Sequence, residues 1–289
     1  VAILSSGFFG SLSGSVISNV VTTGQLTIPT MKRAGYTPAY AASVEACAST
    51  GGTLMPPVMG AVAFLMAEFL NIPYRDIVIA AAVPSFLFYL ALLLQVDCYA
   101  AVKGLKGQPA SEIPRMWETL KDGWFYLFSL LLLVYLLVWA RMELYAPYYA
   151  TIVLLASAAI FRKKGRRFNL AKFLELIIES SSIIASIIAI LAGIGVIVGA
   201  LAFTGVGGAF SRELLSLAGG SLPFILIMGA VTSFFLGMGV TVSACYIFLA
   251  IVMGPALIEF GLDPIASHLF ILYWGMMSYI TPPVALAAV

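Results

Sequence analysis

Gly10-Ser11-Leu12-Ser13-Gly14-Ser15-Val16-Ile17-Ser18-Asn19 is a run of glycines and small polar residues between two apolar segments, residues 1–12 and 20–31. Each segment is shorter than the about 20 residues that a helix needs to cross a bilayer. A non-helical break at membrane depth is tolerated only inside protein or beside a water-filled cavity, because every backbone N–H and C=O group in hydrocarbon must find a partner. We therefore predict a re-entrant helical hairpin whose broken tip binds a ligand.

The composition places this hairpin in a membrane protein. The chain is 62% hydrophobic and only 10% charged, with a mean hydropathy of +1.05, whereas soluble domains are about 25% charged. So few charges could not cover the surface of a large soluble protein, so we predict a chain surrounded by the lipid bilayer, with no nucleic-acid partner. Cys47, Cys98 and Cys245 lie far apart in apolar stretches, which is typical of buried cysteines and not of a metal site.

The segment after the first hairpin is too long for one straight span. Residues 36–70 form a run of 35 residues that contains Gly51-Gly52-Thr53-Leu54-Met55-Pro56-Pro57. Each proline removes a helical N–H donor and clashes with the preceding turn. We predict a helix broken at membrane depth here, followed by spans over residues 77–99, 124–140, 145–161 and 173–203.

The same arrangement recurs near the other end of the chain. Residues 222–260 contain a second glycine-rich break at Gly237–Ser243, and residues 263–289 contain Thr281-Pro282-Pro283. An offset of 226 positions relates four proline pairs and one glycine pair: Pro29 and Pro255, Pro38 and Pro264, Pro56 and Pro282, Pro57 and Pro283, Gly35 and Gly261. Four prolines in one register predict an internal duplication.

The basic residues predict the orientation. With the cluster at 162–167 in the cytoplasm, 12 Lys and Arg residues fall on the cytoplasmic side and 3 on the other, as the positive-inside rule requires. The cytoplasmic set is that cluster with Lys32, Arg33, Lys103, Lys106, Arg115, Lys121 and Lys172; the other set is Arg75, Arg141 and Arg212. Five crossings separate the two hairpins, an odd number, so we predict that they enter from opposite faces as an inverted repeat.

These features divide the chain into three parts. Residues 1–70 are predicted to form the first half of a transport domain, residues 71–221 its scaffold and connecting helices, and residues 222–289 the second half. The chain begins at Val1 and ends within an apolar run, and we expect it to be a piece of a longer membrane protein.

Several motifs resemble the large membrane (permease) subunit of tripartite ATP-independent periplasmic (TRAP) transporters, in the branch with fused permease subunits. The matching stretches are Gly10–Ser15, Ile28–Tyr36, Val44–Gly52, Met55–Gly60, Met66–Leu70, Leu236–Gly239 and Thr281–Ala285. The resemblance implies an all-α membrane protein: an inverted-repeat elevator-type transporter with two re-entrant helical hairpins and two discontinuous helices, in a bacterial inner membrane. It also implies sodium-coupled uptake of a small organic acid, a carboxylate, delivered by a periplasmic substrate-binding protein, with a small membrane subunit or its fused equivalent as partner.

Each ion site would join a hairpin tip to a broken helix, with hydroxyl, amide and carbonyl oxygens as ligands for sodium. The residues predicted to bind sodium are Ser13, Ser15, Asn19, Gly51, Gly52, Thr53, Gly237, Gly239, Thr241, Ser243, Tyr279 and Thr281. The residues predicted to face the substrate are Ser11, Gly14, Ser18, Pro56, Pro57, Val240, Pro282 and Pro283. No cofactor other than this coupling ion is expected.

Glu45 leaves a proton, in place of sodium, as an alternative coupling ion. It lies ten residues into a predicted span, where an ionisable side chain is a functional candidate. It is either a proton carrier, which would make the protein proton-coupled, or a support for the break at 51–55.

Other protein classes use similar motifs. An intramembrane serine protease would need Ser13 and His268, the one histidine of the chain, within hydrogen-bond reach of each other. A channel could also contain re-entrant loops, and the small residues could serve helix packing alone. Two hairpins from opposite faces favour alternating access, so a transporter is the leading prediction.

Overall fold

The computed structural model describes residues 2–107, 116–160 and 170–288, and within these ranges it contains helices and turns but no strand. The all-α prediction is thus confirmed. Arg115 and the basic cluster at 162–167 lie outside the described residues. The helices are α1 (Ala2–Ser13), α2 (Val16–Arg33), α3 (Pro38–Gly52), α4 (Gly60–Leu70), α5 (Tyr74–Lys103), α6 (Met116–Val138), α7 (Ala146–Ile160), α8 (Leu170–Thr204), α9 (Val206–Ala218), α10 (Leu222–Gly237), α11 (Val242–Val252), α12 (Gly254–Glu259) and α13 (Pro264–Met277).

The chain forms two compact units. The first consists of residues 1–108 and 194–289, and it contains both hairpins. The second consists of residues 109–193. In the second unit α6 packs on α7, where the Ser129 hydroxyl donates a hydrogen bond to the Ala150 carbonyl at 2.7 Å.

The four predicted connecting spans are all helical. Two of them, Tyr74–Lys103 and Ala171–Thr204, are long and apolar enough to cross a membrane by length and composition. In the span predicted at 145–161, the structure describes α7 over the 15 residues Ala146–Ile160.

Both hairpin breaks are narrower than the sequence predicted. Residues 11–13 belong to α1 and residues 16–19 to α2, so only Gly14 and Ser15 lie outside helices. A left-handed Gly14 (φ +64°) followed by an extended Ser15 is sufficient to reverse the chain. In the second hairpin residues 238–241 lie outside helices, whereas Gly237 belongs to α10 and Ser243 to α11.

The first hairpin packs onto α3 through glycines. Gly10 of α1 lies so close to Gly52 of α3 that a Cβ at Gly10 would stand 2.8 Å from the Gly52 Cα. At the tip, Gly14 meets the backbone of Gly60, the first residue of α4. In the second hairpin Gly237 of α10 meets the Gly275 carbonyl of α13 in the same close manner. Small residues thus let helix backbones approach closely, as in membrane helix pairs.

The offset of 226 positions also relates the helix caps. Ser15 and Thr241 are the N-caps of α2 and α11, and their side chains accept hydrogen bonds from the N–H groups of residues 18 and 244 at 3.3 and 3.4 Å. Thr37 and Asp263 cap α3 and α13 in the same way, at 3.3 and 2.9 Å. An N-cap accepts a hydrogen bond from a backbone N–H group that has no partner within the helix. Both halves provide such caps at equivalent positions.

Unusual backbone conformations follow the same offset. Gly35 and Gly261 have φ angles of 98° and 100°, and Met59 and Ala285 have φ angles of 56° and 45°. The peptide bonds Pro56-Pro57 and Pro282-Pro283 are both cis. The correspondence therefore extends from the proline positions to the local backbone.

We expect the glycine contact between α1 and α3 to be sensitive to a single methyl group. In a Gly10→Ala variant the new Cβ would lie 2.5 Å from Asn19 Nδ2 as well as near Gly52, and such overpacking costs about 1–3 kcal/mol. The melting temperature of the intact permease purified in detergent should fall. The control is Gly199→Ala in α8, where a Cβ meets no atom within 4 Å; it should be neutral or slightly stabilising. Equal melting temperatures for the two variants would contradict this packing.

Candidate functional site

The first hairpin tip presents hydroxyl groups at the surface of its unit. The side chains of Ser13, Ser15 and Ser18 are exposed. Ser13 and Ser15 make only long contacts with each other, at 3.4 and 3.5 Å between hydroxyl and backbone atoms. The N–H groups at the start of α2 that Ser15 does not cap have no helical acceptor. The tip thus offers oxygen ligands for a cation beside amide donors for an anion.

The break after α3 lies against this tip. Beyond Thr50 the hydrogen bonds tighten to the i→i−3 pattern: Thr53 N–H donates to the Thr50 carbonyl at 3.3 Å, and Leu54 N–H to the Gly51 carbonyl at 3.0 Å. Pro56 and Pro57 then supply no donor for the carbonyls four residues before them. Gly51, Gly52 and Thr53 are buried, and the Thr53 hydroxyl donates to the Thr50 carbonyl at 2.8 Å.

Asn19 does not point at the tip. Its amide Nδ2 donates to the Ser6 carbonyl of α1 at 2.9 Å, and its Oδ1 lies 3.0 Å from the Thr23 hydroxyl. Ser11, predicted to face the substrate, is buried and donates to the Phe8 carbonyl at 2.9 Å. Both side chains therefore hold the two arms of the hairpin or their own helix, and they lie deeper than the exposed serines.

The second tip is joined to the second break by a tyrosine. Tyr279, just after α13, is buried, and its hydroxyl donates to the Val240 carbonyl at 2.5 Å. The Tyr279 carbonyl accepts from Ala287 N–H at 2.9 Å, and the Thr281 hydroxyl donates to the Met277 carbonyl at 2.7 Å. Thr241 is exposed and caps α11. The structure thus brings the second tip and the residues after α13 together.

The remaining predicted residues divide by exposure. Gly239 and Val240 at the second tip are exposed, while Gly237 is buried and Ser243 half-buried. Pro56 and Pro57 are half-buried, whereas Pro282 and Pro283 are exposed. Among the described residues no cluster of three or more His, Cys, Asp or Glu side chains stands ready for a transition metal.

Sequence reasoning identified Glu45 but missed its partners. Glu45 is 1% exposed, and its carboxyl group accepts hydrogen bonds from four hydroxyls on three helices. These are Ser6 of α1, Thr23 and Thr27 of α2, and Ser49 of α3. The pairs Thr23/Thr27 and Glu45/Ser49 are each spaced i, i+4, which places both members on one helix face. This spacing is the sequence feature that could have indicated some of the partners of Glu45.

The protease alternative finds no support in the geometry. Ser13 contacts Ser15, and His268 is buried in α13, where its Nδ1 forms a 2.7 Å hydrogen bond with the Tyr246 hydroxyl. Each group of the supposed pair thus has a different partner.

Comparison with known proteins decides the class. Residues 1–289 match the family described as "Tripartite ATP-independent periplasmic transporter, DctM component". The chain belongs to this family. This is a family of membrane transporter components and not of enzymes, which agrees with the predicted class.

Individual members of the family are 21% to 27% identical to this chain over the aligned residues. The chain is 27% identical over 286 residues to the C4-dicarboxylate TRAP transporter large permease protein of Pseudomonas aeruginosa, covering 99% of the chain and 66% of that protein. It is 22% identical to the isethionate TRAP transporter permease protein of Oleidesulfovibrio alaskensis, covering 96% of the chain and 43% of that protein. A sialic acid TRAP transporter large permease protein of Vibrio cholerae is 21% identical, with 99% and 66% covered. The chain thus spans two thirds or less of these relatives, and its assignment to the fused branch stays a prediction.

The hydrogen bond between Tyr279 and Val240 gives a test of the second tip. In a Tyr279→Phe variant the Val240 carbonyl loses its donor, which costs about 0.5–1.5 kcal/mol. We expect faster amide hydrogen exchange at residues 238–241 in the intact permease. The control is Tyr74→Phe, because the Tyr74 hydroxyl lies 2.6 and 2.8 Å from the carbonyl oxygens of Pro57 and Val58, which share its one hydrogen and do not belong to the second tip. Unchanged exchange at 238–241 in Tyr279→Phe would show that this bond does not hold the tip.

Proposed function

We propose that this chain is the transport core of a sodium-coupled importer of a small organic acid. The observation that carries the proposal is the pair of hairpin tips 226 positions apart, each with an exposed hydroxyl N-cap, Ser15 or Thr241, beside a break that contains a Pro-Pro pair. Sodium is a hard cation, and both tips offer hydroxyl and carbonyl oxygens without a carboxylate.

The same tips suit a carboxylate substrate. The N-terminus of a helix carries a partial positive charge and unpaired N–H groups, and it favours anions. The N-termini of α2 and α11 both lie at the tips. A cation bound at each tip would further stabilise a bound carboxylate. The names of the relatives, which print C4-dicarboxylate, isethionate and sialic acid, support an organic acid as the substrate class.

The wider arrangement follows the family resemblance. We propose that the hairpins are re-entrant from opposite faces of a bacterial inner membrane and that they move together in an elevator mechanism. A periplasmic substrate-binding protein would deliver the acid, and a small membrane subunit or its fused equivalent would complete the permease. The asymmetry of basic residues and the duplicated hairpins support this orientation.

Uptake by the complete system should require a sodium gradient. The intact permease, reconstituted in proteoliposomes with its binding protein, would be offered radiolabelled C4-dicarboxylates, isethionate and sialic acid. Uptake of the accepted acid should collapse when the sodium gradient is removed and the proton gradient is kept. Full uptake driven by the proton gradient alone would overturn sodium coupling and favour the proton-coupled alternative, with Glu45 as the carrier.

Variants of the four N-cap residues can distinguish a role in ion binding from a role in helix capping. Ser15→Ala and Thr241→Ala each remove a cap, worth about 1 kcal/mol, together with a proposed sodium ligand, so uptake should be lost. Thr37→Ala and Asp263→Ala remove the equivalent caps of α3 and α13 and should lower stability by a similar amount while uptake continues. Uptake rates normalised to the amount of protein in the vesicles provide the measurement. Equal uptake by all four variants would reduce the tips to a structural role.

A further inference from the structure

The first hairpin is joined to α3 by a buried polar cluster centred on Glu45. The hydroxyls of Ser6 and Ser49 donate to Glu45 Oε1 at 2.9 and 3.1 Å. Thr27 donates to Oε2 at 2.5 Å, and Thr23 also donates to Oε1. Because Ser6 belongs to α1, the two threonines to α2, and Glu45 itself to α3, one carboxyl group connects all three helices.

Asn19 extends the cluster between the arms of the hairpin. Its Nδ2 donates to the Ser6 carbonyl, and its Oδ1 lies 3.0 Å from the hydroxyl of Thr23, the residue that donates to Glu45. The polar contacts therefore fix α1 to α2 as well as both arms to α3. No arm of this hairpin can leave α3 without breaking several of them.

The second hairpin has no such cluster at the equivalent positions. The offset of 226 places Ile271 at the position of Glu45, and Ile271 is fully buried. Leu249 and Met253, also fully buried, take the positions of Thr23 and Thr27. The other equivalents, for Ser6, Asn19 and Ser49, are Thr232, Cys245 and Gly275. At the positions equivalent to the Glu45 cluster the interface between α11 and α13 is thus apolar, and its hydrogen bond lies elsewhere, between the Tyr246 hydroxyl and His268 Nδ1 at 2.7 Å.

This difference changes what it costs to separate a hairpin from its helix. Moving the first hairpin away would strip a buried carboxyl group of its hydrogen-bond donors, and a polar group without partners is strongly unfavourable in an apolar environment. Moving the second hairpin away breaks the hydrogen bonds of Tyr246 with His268 and of Tyr279 with Val240, fewer than those that hold Glu45. It otherwise exchanges apolar contacts for others, and within a membrane such contacts have no hydrophobic driving force. The second hairpin is therefore the easier one to displace.

We propose that Glu45 is a positioning residue that clamps the first hairpin onto α3, so that the first tip is preformed and the second hairpin is the one that opens. This inference rests on the proposed function. It specifies which of the two proposed sodium-binding tips is already formed before the ion binds. It assigns Glu45 no contact with the ion or the substrate.

Two valines give a matched pair of reporters for this difference. Val16 and Val242 are the first residues of α2 and α11, they lie 226 positions apart, and they are 1% and 6% exposed. Val16→Cys or Val242→Cys would be introduced into the intact permease with Cys47, Cys98, Cys245 and every other native cysteine replaced by alanine. The rate of maleimide labelling in proteoliposomes measures how often each site opens. We expect labelling about tenfold faster for Val242→Cys, the ratio that corresponds to about one well-formed interhelical hydrogen bond. Equal rates, or a faster rate for Val16→Cys, would overturn the proposal.

Removal of the clamp should act on one reporter only. Glu45→Ala should raise the labelling rate of Val16→Cys about tenfold and leave that of Val242→Cys unchanged. Thr27→Val removes one hydroxyl at nearly constant shape and should cause a smaller rise, which keeps the test decisive if Glu45→Ala does not fold. The matched control is Glu68→Ala, an exposed carboxylate of α4. A Val16→Cys rate that neither clamp variant changes would overturn the role of Glu45.

A sodium titration separates the clamp from the proposed function. Sodium should slow the labelling of Val242→Cys by closing the second tip and should leave Val16→Cys unchanged. Asymmetric labelling without any sodium effect would support the clamp and contradict sodium binding at the second tip. A sodium effect on both reporters to the same degree would overturn the clamp and leave sodium coupling in place.

Discussion

The need of every buried backbone N–H and C=O group for a partner shapes this protein more than any single contact. In a membrane a helix can break only where protein or water receives the freed groups. This chain breaks its helices at few places, and there it provides replacements: N-cap hydroxyls at Ser15 and Thr241, tightened turns after Thr50, and a tyrosine hydroxyl on the Val240 carbonyl. The polar groups that these breaks leave available are what a transporter can use for ligands.

The positions of the two hairpin tips and of the two Pro-Pro breaks could be predicted, because glycine-rich stretches and proline pairs mark them. The break at Met253 between α11 and α12 was not predicted. Proline pairs cannot continue a helix, and their spacing of 226 positions revealed the second half from the first. The widths of the breaks could not be predicted. Whether Ser11 or Ser18 continues a helix depends on neighbours, and a single left-handed Gly14 proved sufficient to turn the chain. Small polar residues are compatible with both helix and loop, and only the packing against α3 and α4 decides between them.

In the candidate site, too, some features could be predicted from the sequence and others could not. Hydroxyls at the tips follow from composition, and the structure leaves Ser13, Ser15 and Thr241 exposed. Asn19 lies in the same stretch, but its amide holds α1, because a side chain one turn into α2 faces the neighbouring arm and not the tip. The hydroxyl partners of Glu45 come from positions 6, 23, 27 and 49; the i, i+4 spacings place Thr23 with Thr27 and Glu45 with Ser49 on one helix face each, but they do not show that the helices meet there. Contacts between residues distant in sequence require the fold.

The two halves are alike in much of their backbone, although α2 is continuous where its counterpart is divided into α11 and α12 at Met253, and they are unlike in the chemistry of their interiors. Caps, left-handed residues and proline pairs coincide across the offset, whereas the centre of one hairpin interface is Glu45 and that of the other is Ile271. Duplication by itself gives two equivalent hairpins, and an alternating-access cycle built on equivalent hairpins has no preferred gate. A polar interface on one side and an apolar one on the other break that equivalence at little cost in shape. The same fold can then hold one tip in place and release the other, and this division of roles follows from side chains that lie away from both tips.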